Sequence, residues 1–191
     1  MIGDGVFSGA LILGAVAWGI AVFVSLFEDL VTQLFVPWVF RLGPRALHRP
    51  CTLRPPAWPC AGSSTIELQY GVARIVSPTE CLFRQPFASM SSRFYDRGIR
   101  PRGVIRWQGA HASVECRLSV TSVLLWGGWL AISAGAGGNI VLAGSHRFGG
   151  VLVLLFGWGI AIAGYKSSSR KAREWAEEIL AELSDVLPQA A

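Results

Sequence analysis

Formal charge is missing from three long stretches of this 191-residue chain, and that absence excludes an ordinary soluble domain. Residues 5–27, 118–146 and 148–165 contain no Asp, Glu, Lys or Arg, and a helix needs roughly 20 apolar residues to cross a bilayer. Charged residues make up only 15% of the chain and hydrophobic ones 52%, where a soluble domain carries roughly 25% charge. Histidine is also absent from these runs, apart from His146 at the edge of one. Intramembrane ionisable groups mark ion paths and proton relays, so their absence argues against a pump or charged-substrate transporter built from one copy. Lysine is scarce, 2 residues against 15 arginines. That bias fits GC-rich coding, and so a bacterial source, better than a need for bidentate phosphate binding.

Catalytic signatures are missing too. Cys51, Cys60, Cys81 and Cys116 show no C-x-x-C spacing, and in a cytoplasmic setting they are expected as free thiols. His48, Cys51 and Cys60 would need a distant fourth ligand to hold zinc. No haem, P-loop, dinucleotide or nucleophile-elbow motif occurs. No catalytic residue, metal or cofactor is therefore expected, and the chain reads as a non-enzyme. The first run lacks the positive leader and cleavage site of a secretory signal, and is expected to be a retained helix.

Between the first two runs, residues 28–118 hold 12 arginines against 6 acidic residues. The positive-inside rule places this block and the Lys166, Arg170, Lys171, Arg173 cluster in the cytoplasm. The same rule accounts for the pI near 9.4 without nucleic acid. The expected fold class is therefore a mainly α membrane protein of three transmembrane helices, a small cytoplasmic α+β patch and an amphipathic C-terminal helix. It would be a multi-pass protein of the bacterial cytoplasmic membrane, with Met1 outside and the C-terminus inside.

The domain boundaries follow the same pattern. Residues 1–42 form a transmembrane helix and interfacial extension, with a break near Pro37 and with Trp38 and Phe40 as interface anchors. Residues 43–63, rich in proline, read as a linker. The Arg-rich α+β region spans 64–117, with alternation at Ile66, Leu68, Tyr70 and Val72 for a strand and Ser77-Pro-Thr-Glu80 as a helix-starting capping box. Val104 to Trp107 and Ala112 to Leu118 are expected as a hairpin. A transmembrane hairpin covers 118–166, its first helix softened by glycine at 133–139. In the tail, 167–191, Trp175, Ile179 and Leu183 recur at helical spacing and are expected to dock on the strands. Glu177, Glu178 or Glu182 would then lie near the basic patch of Arg93, Arg97, Arg100, Arg102 and Arg106.

Small residues mark helix-packing faces: Gly9, Gly14 and Gly19, Gly127 with Ala131, and Gly157 with Ala161, spaced so that backbones can approach closely. Trp18 and Trp158 fall mid-run inside matching Trp-Gly-Ile-Ala tetrapeptides, where each could fill a notch on a neighbouring helix.

Arg97-Gly-Ile-Arg-Pro-Arg-Gly-Val-Ile-Arg-Trp107, two apolar runs and then Tyr165-Lys-Ser-Ser-Ser-Arg-Lys-Ala-Arg-Glu-Trp-Ala-Glu-Glu-Ile179 give residues 64–187 a resemblance to small uncharacterised bacterial membrane proteins, in which a β-rich strip precedes a transmembrane hairpin and a short cytosolic helix. The proline-rich segment and the extra first run depart from that pattern, and the resemblance implies no activity. The expected function is a non-catalytic accessory or structural subunit packed against a larger membrane complex, with photosynthetic or respiratory assemblies as candidate hosts. The alternative is a stand-alone regulator or sensor whose basic patch binds anionic lipid headgroups or a protein. A small oligomeric transporter ranks third.

Overall fold

The structure, a computed structural model, describes residues 3–55, 65–86, 101–109, 111–142, 144 and 147–187, and in the first helix the side chains of 12, 16 and 19 onward. In chain order these form α1 (Gly3–Gln33), a 3-10 turn (Val39–Arg41), β1 (Arg45–Cys51), β2 (Thr65–Glu67), β3 (Val72–Ser77), β4 (Glu80–Arg84), β5 (Arg102–Gln108), β6 (His111–Arg117), α2 (Val120–Leu142) and α3 (Arg147–Val186). The chain divides into two units. A helical unit takes the chain up to Phe27 with Thr121–Ser167, and a sheet unit takes Glu28–Val120 with the chain from Ser168 onward.

In the helical unit, glycine permits close packing where the sequence alone pointed to a weak helix. A Cβ on Gly137 would come 2.8 Å from the Gly150 carbonyl oxygen, and one on Gly150 would come 2.7 Å from that of Gly137. Lower down, Gly157 lies against Ser133 and Gly164 against the Trp126 ring. Small residues on both helices thus let the α2 and α3 backbones approach, and α2 runs unbroken through 133–139. Ser133 turns its hydroxyl back onto its own helix, donating to the Trp129 and Leu130 carbonyls at 2.9 and 3.0 Å, so that hydroxyl is not stranded. Among the described residues, Val120–Val141 and part of Arg147–Val186 are long and apolar enough to cross a membrane. Large apolar side chains stay exposed on α3 (Leu152, Leu155, Phe156, Ile162) and on α1 (Ile12, Val16, Ile20, Phe23).

The sheet unit is built on one antiparallel sheet in the order β1-β6-β5-β4-β3-β2. β2 to β6 form a meander, and β1 returns to the far edge beside β6. Because side chains alternate across a strand, Ala73, Ile75, Cys81, Phe83, Ile105, Trp107, Val114 and Cys116 point to one face. There they pack with Ala172, Trp175, Ala176, Ile179, Leu180 and Leu183 of α3. Leu82 and Val104 point to the other face and pack with Phe35 and Phe40. Covered on both sides, β4 and β5 carry adjacent apolar residues at their centres, Cys81-Leu82-Phe83 and Val104-Ile105. Gly103 leaves room for the Phe83 ring that a side chain would occupy.

Several expectations are corrected. The 43–63 segment is not simply a linker, since Arg45–Cys51 is an edge strand paired with β6; the part at 56–63 lies outside the described residues. Pro50 is tolerated there because an edge strand has one side without ladder partners. Ser77-Pro-Thr-Glu80 starts no helix but forms the β3–β4 turn, with Ser77 paired to Glu80. Ser77 Oγ accepts the Thr79 N–H at 3.3 Å, a bond that serves a turn as well as a cap, and the buried Cys81-Leu82-Phe83 run decides for the strand. The tail is not a separate helix but the continuation of α3 to Val186. The α+β region is accordingly larger than 64–117: it includes β1, the 28–42 segment and the tail.

Candidate functional site

Arginine is concentrated on one face of the sheet. Arg45 pairs with Arg117 across β1 and β6, Arg117 with Arg102 across β6 and β5, and Arg102 with Arg84 across β5 and β4. Four arginines therefore stand in a row across four strands, an arrangement that is destabilising without compensation. Arg41, Arg74 and Arg106 join them on this side, as the strand alternation and the Phe35 and Glu80 contacts require. Glu28, Glu80 and Glu115 pair with five of these arginines, Arg41, Arg45, Arg102, Arg106 and Arg117. Glu115 lies 2.6 Å from both Arg45 and Arg117, and 3.8 Å from Arg106. Glu80 takes Arg41 at 3.1 Å and Arg106 at 3.4 Å.

Glu28 closes the row. Its Oε1 lies 2.5 Å from Arg102 Nη2 and also accepts the Val120 N–H at 2.9 Å. Within the sheet unit one carboxylate thus holds the first residue of β5 and the first residue of α2, where a negative charge suits the helix N-terminus. Arg102 also donates to the Leu42 carbonyl at 3.3 Å. Burial lowers the Arg102 pKa and Glu28 opposes that shift, so the pair shields two charges that neither side chain could bury alone.

The segment after α1 lies over this face. Phe35 ends the helix with φ of 52°, a left-handed conformation that disfavours side chains. Its ring is held by stacking on Phe40 at 5.8 Å and by the Arg84 and Arg74 guanidiniums at 4.9 and 5.8 Å. Phe35, Val39 and Phe40 are buried, while Leu34, Trp38 and Leu42, spaced by four, are 64%, 54% and 42% exposed. Of the two expected interface anchors, Trp38 faces outward and Phe40 belongs to the core.

The basic patch expected from the sequence is thus redistributed. Arg93, Arg97 and Arg100 lie outside the described residues. Arg102 is no surface cation but a buried partner of Glu28, because the 28–42 segment covers it. Arg106 is held by Glu80 and Glu115. Sequence reasoning missed Arg41, Arg45, Arg84, Arg117 and Glu115; the two-residue spacing of Glu115 with Arg117, which puts both on one face of a strand, was the available signal.

Trp175, Ile179 and Leu183 are buried against the sheet. The Trp175 indole N–H donates to the Tyr70 carbonyl at 2.8 Å, and its ring lies 5.5 Å from that of Phe83. Of the tail acids, Glu182 accepts the backbone N–H groups of Gln69 and Tyr70, and Glu177 pairs with Arg49 at 3.2 Å. Arg49, Cys51, Leu53, Glu177, Leu180 and Ser184 line an open cleft of about 420 Å³ between β1 and the tail.

Among the helix-packing residues, Gly157 and Ala161 are buried, whereas Gly127 and Ala131 are exposed and the α2 face toward α3 is instead Trp126, Ser133 and Gly137. Trp158 is half exposed, so it does not fill an internal notch. Gly19 has open space beside it; the surroundings of Gly9, Gly14 and Trp18 lie outside the described residues. Among the described cysteines, Cys51 is half-buried and Cys81 and Cys116 are buried, all as free thiols. Burial pushes the last two up to about 12. No group of three or more potential metal ligands occurs among the described residues. Compared with family models, with curated proteins and with solved structures, the chain matches none.

Proposed function

We propose that this chain is a non-catalytic integral membrane protein of three spans that serves as an accessory subunit, its helical unit packing against a larger membrane complex. The reading places it in the bacterial cytoplasmic membrane, with the sheet unit in the cytoplasm and Met1 outside. The observation that carries it is the division of the glycines. Gly137, Gly150, Gly157 and Gly164 are occupied by neighbours within the hairpin, while Gly19, Gly127, Gly138 and Gly159 have no atom within 4 Å of an added Cβ. Open notches on helices with apolar, exposed side chains offer a second helix the same close approach that the first set uses internally. Trp129 and Trp158, both outward-facing, would supply large apolar contacts beside them.

Purification from native membranes in mild detergent, with mass spectrometry of what co-migrates, tests the reading. Gly127→Leu and Gly159→Leu are expected to leave the chain folded, since nothing occupies their space, and to abolish co-migration. Gly157→Ala, which would collide with Ser133, is expected to loosen the hairpin itself. A wild-type chain that always runs alone would overturn the proposal.

A further inference from the structure

We infer that the outward side of residues 34–45 is a docking surface for the anionic phospholipid headgroups of the membrane the chain spans. The inference rests on α1 crossing that membrane, and it concerns a surface distinct from the helical notches. Leu34, Trp38 and Leu42 are exposed apolar side chains on a segment that buries Phe35, Val39 and Phe40. Interleaved with them in the chain are Arg41 and Arg45, each more than half exposed. Arg41 gives Nη2 to Glu80 and Arg45 gives Nε to Glu115, and their remaining N–H groups meet no acceptor among the described residues.

A tryptophan between leucines is the composition of a membrane interface, and a planar guanidinium with free donors matches a phosphodiester. Two further observations single out an anionic lipid surface. The segment follows directly on α1, whose charge-free run ends at Phe27, so the chain enters it from the end of a span. Behind it stands the arginine row, whose like charges lie directly opposite one another. Anionic headgroups at the exposed Arg41 and Arg45 would offset part of that like-charge repulsion.

The test uses the full chain reconstituted in lipid nanodiscs of phosphatidylcholine alone, and of phosphatidylcholine with phosphatidylglycerol. Amide exchange over 34–45 is followed by mass spectrometry. Quenching by brominated lipid is read as the difference between wild type and Trp38→Phe. Phosphatidylglycerol is expected to slow exchange by about fivefold per arginine engaged, the equivalent of ~1 kcal/mol each, and to strengthen Trp38 quenching. Arg41→Gln should lose its share of the slowing, and Arg41→Lys should keep only the part that charge alone supplies. Arg41 is chosen because its exposed contact with Glu80 contributes little to folding. Equal exchange in the two discs would overturn the inference, as would slowing by inorganic phosphate added to phosphatidylcholine discs. Failure of the chain to enter discs at all would instead overturn the membrane-spanning reading on which it rests.

Discussion

Arg102 and Glu28 carry the sharpest consequences at the scale of single residues. Each is nearly inaccessible, and removing one leaves the other charged and buried, at a cost of roughly 3–5 kcal/mol. Arg102→Met is therefore expected to lower the thermal stability of the sheet unit strongly, and adding Glu28→Gln to it should recover most of the loss. Additive losses in that cycle would show that the two do not act as a pair. Glu115 behaves differently because it titrates. Burial pushes its carboxyl up, but hydrogen bonds and charge from Arg117, then Arg45, outweigh this and hold it below the ordinary range. The stabilisation is present in full above the unfolded value of about 4.3 and is lost as pH falls through the lowered folded value. Melts of wild type are expected to show an acid limb below about pH 4. Glu115→Gln should flatten that limb while costing about 1.5–3 kcal/mol at neutral pH.

Among the elements, α3 determines most, because one continuous helix serves both units. Its second half is no appendage on a finished domain: Trp175, Ile179 and Leu183 supply much of one side of the core. Each large side chain buried there contributes roughly 1.5–3 kcal/mol, whereas the exposed Arg49–Glu177 pair contributes about 0–1 kcal/mol. Replacing Ile179 and Leu183 together by Ser is therefore expected to open the whole sheet unit to protease, with cuts inside β3 to β6. Cleavage confined to 167–170 would instead mean that the sheet is stable without the helix. Glu177→Gln should leave the digestion pattern unchanged.

At the scale of the whole molecule, the proposed orientation is open to direct test, and the structure selects the reporter. Cys81 and Cys116 have thiols held near 12 by burial and are expected to stay unlabelled in the native protein wherever they lie. Cys51 is half-buried, and burial raises its thiol as well, so it should react slowly at neutral pH and faster as pH rises. With Cys60 replaced by Ser, a membrane-impermeant maleimide is expected to label Cys51 only after permeabilisation. Labelling in intact cells would reverse the orientation and place the sheet unit outside.

Some of this organisation was legible locally. Charge-free runs mark apolar helices because a side chain's transfer cost depends on its chemistry wherever it lies in the chain. The segments Val104 to Trp107 and Ala112 to Leu118, flanking the short Gln108-Gly-Ala-His111 stretch, announced a hairpin, and the four-residue spacing of Trp175, Ile179 and Leu183 announced a buried face, because that period follows from helix geometry alone. Tertiary pairing decided the rest. Ser77-Pro-Thr-Glu80 suits a helix cap and a tight turn equally, and only the seating of Cys81 to Phe83 between two apolar layers chose the turn. β1 became a strand through a partner some 70 residues away, as the Arg45–Glu115 contact records, and no local pattern encodes that distance. The arginines are chemically alike in the sequence. Which of them is buried against Glu28, shared by Glu115 or left facing outward depends on where the folded chain places the few carboxylates, and desolvation makes that placement decisive.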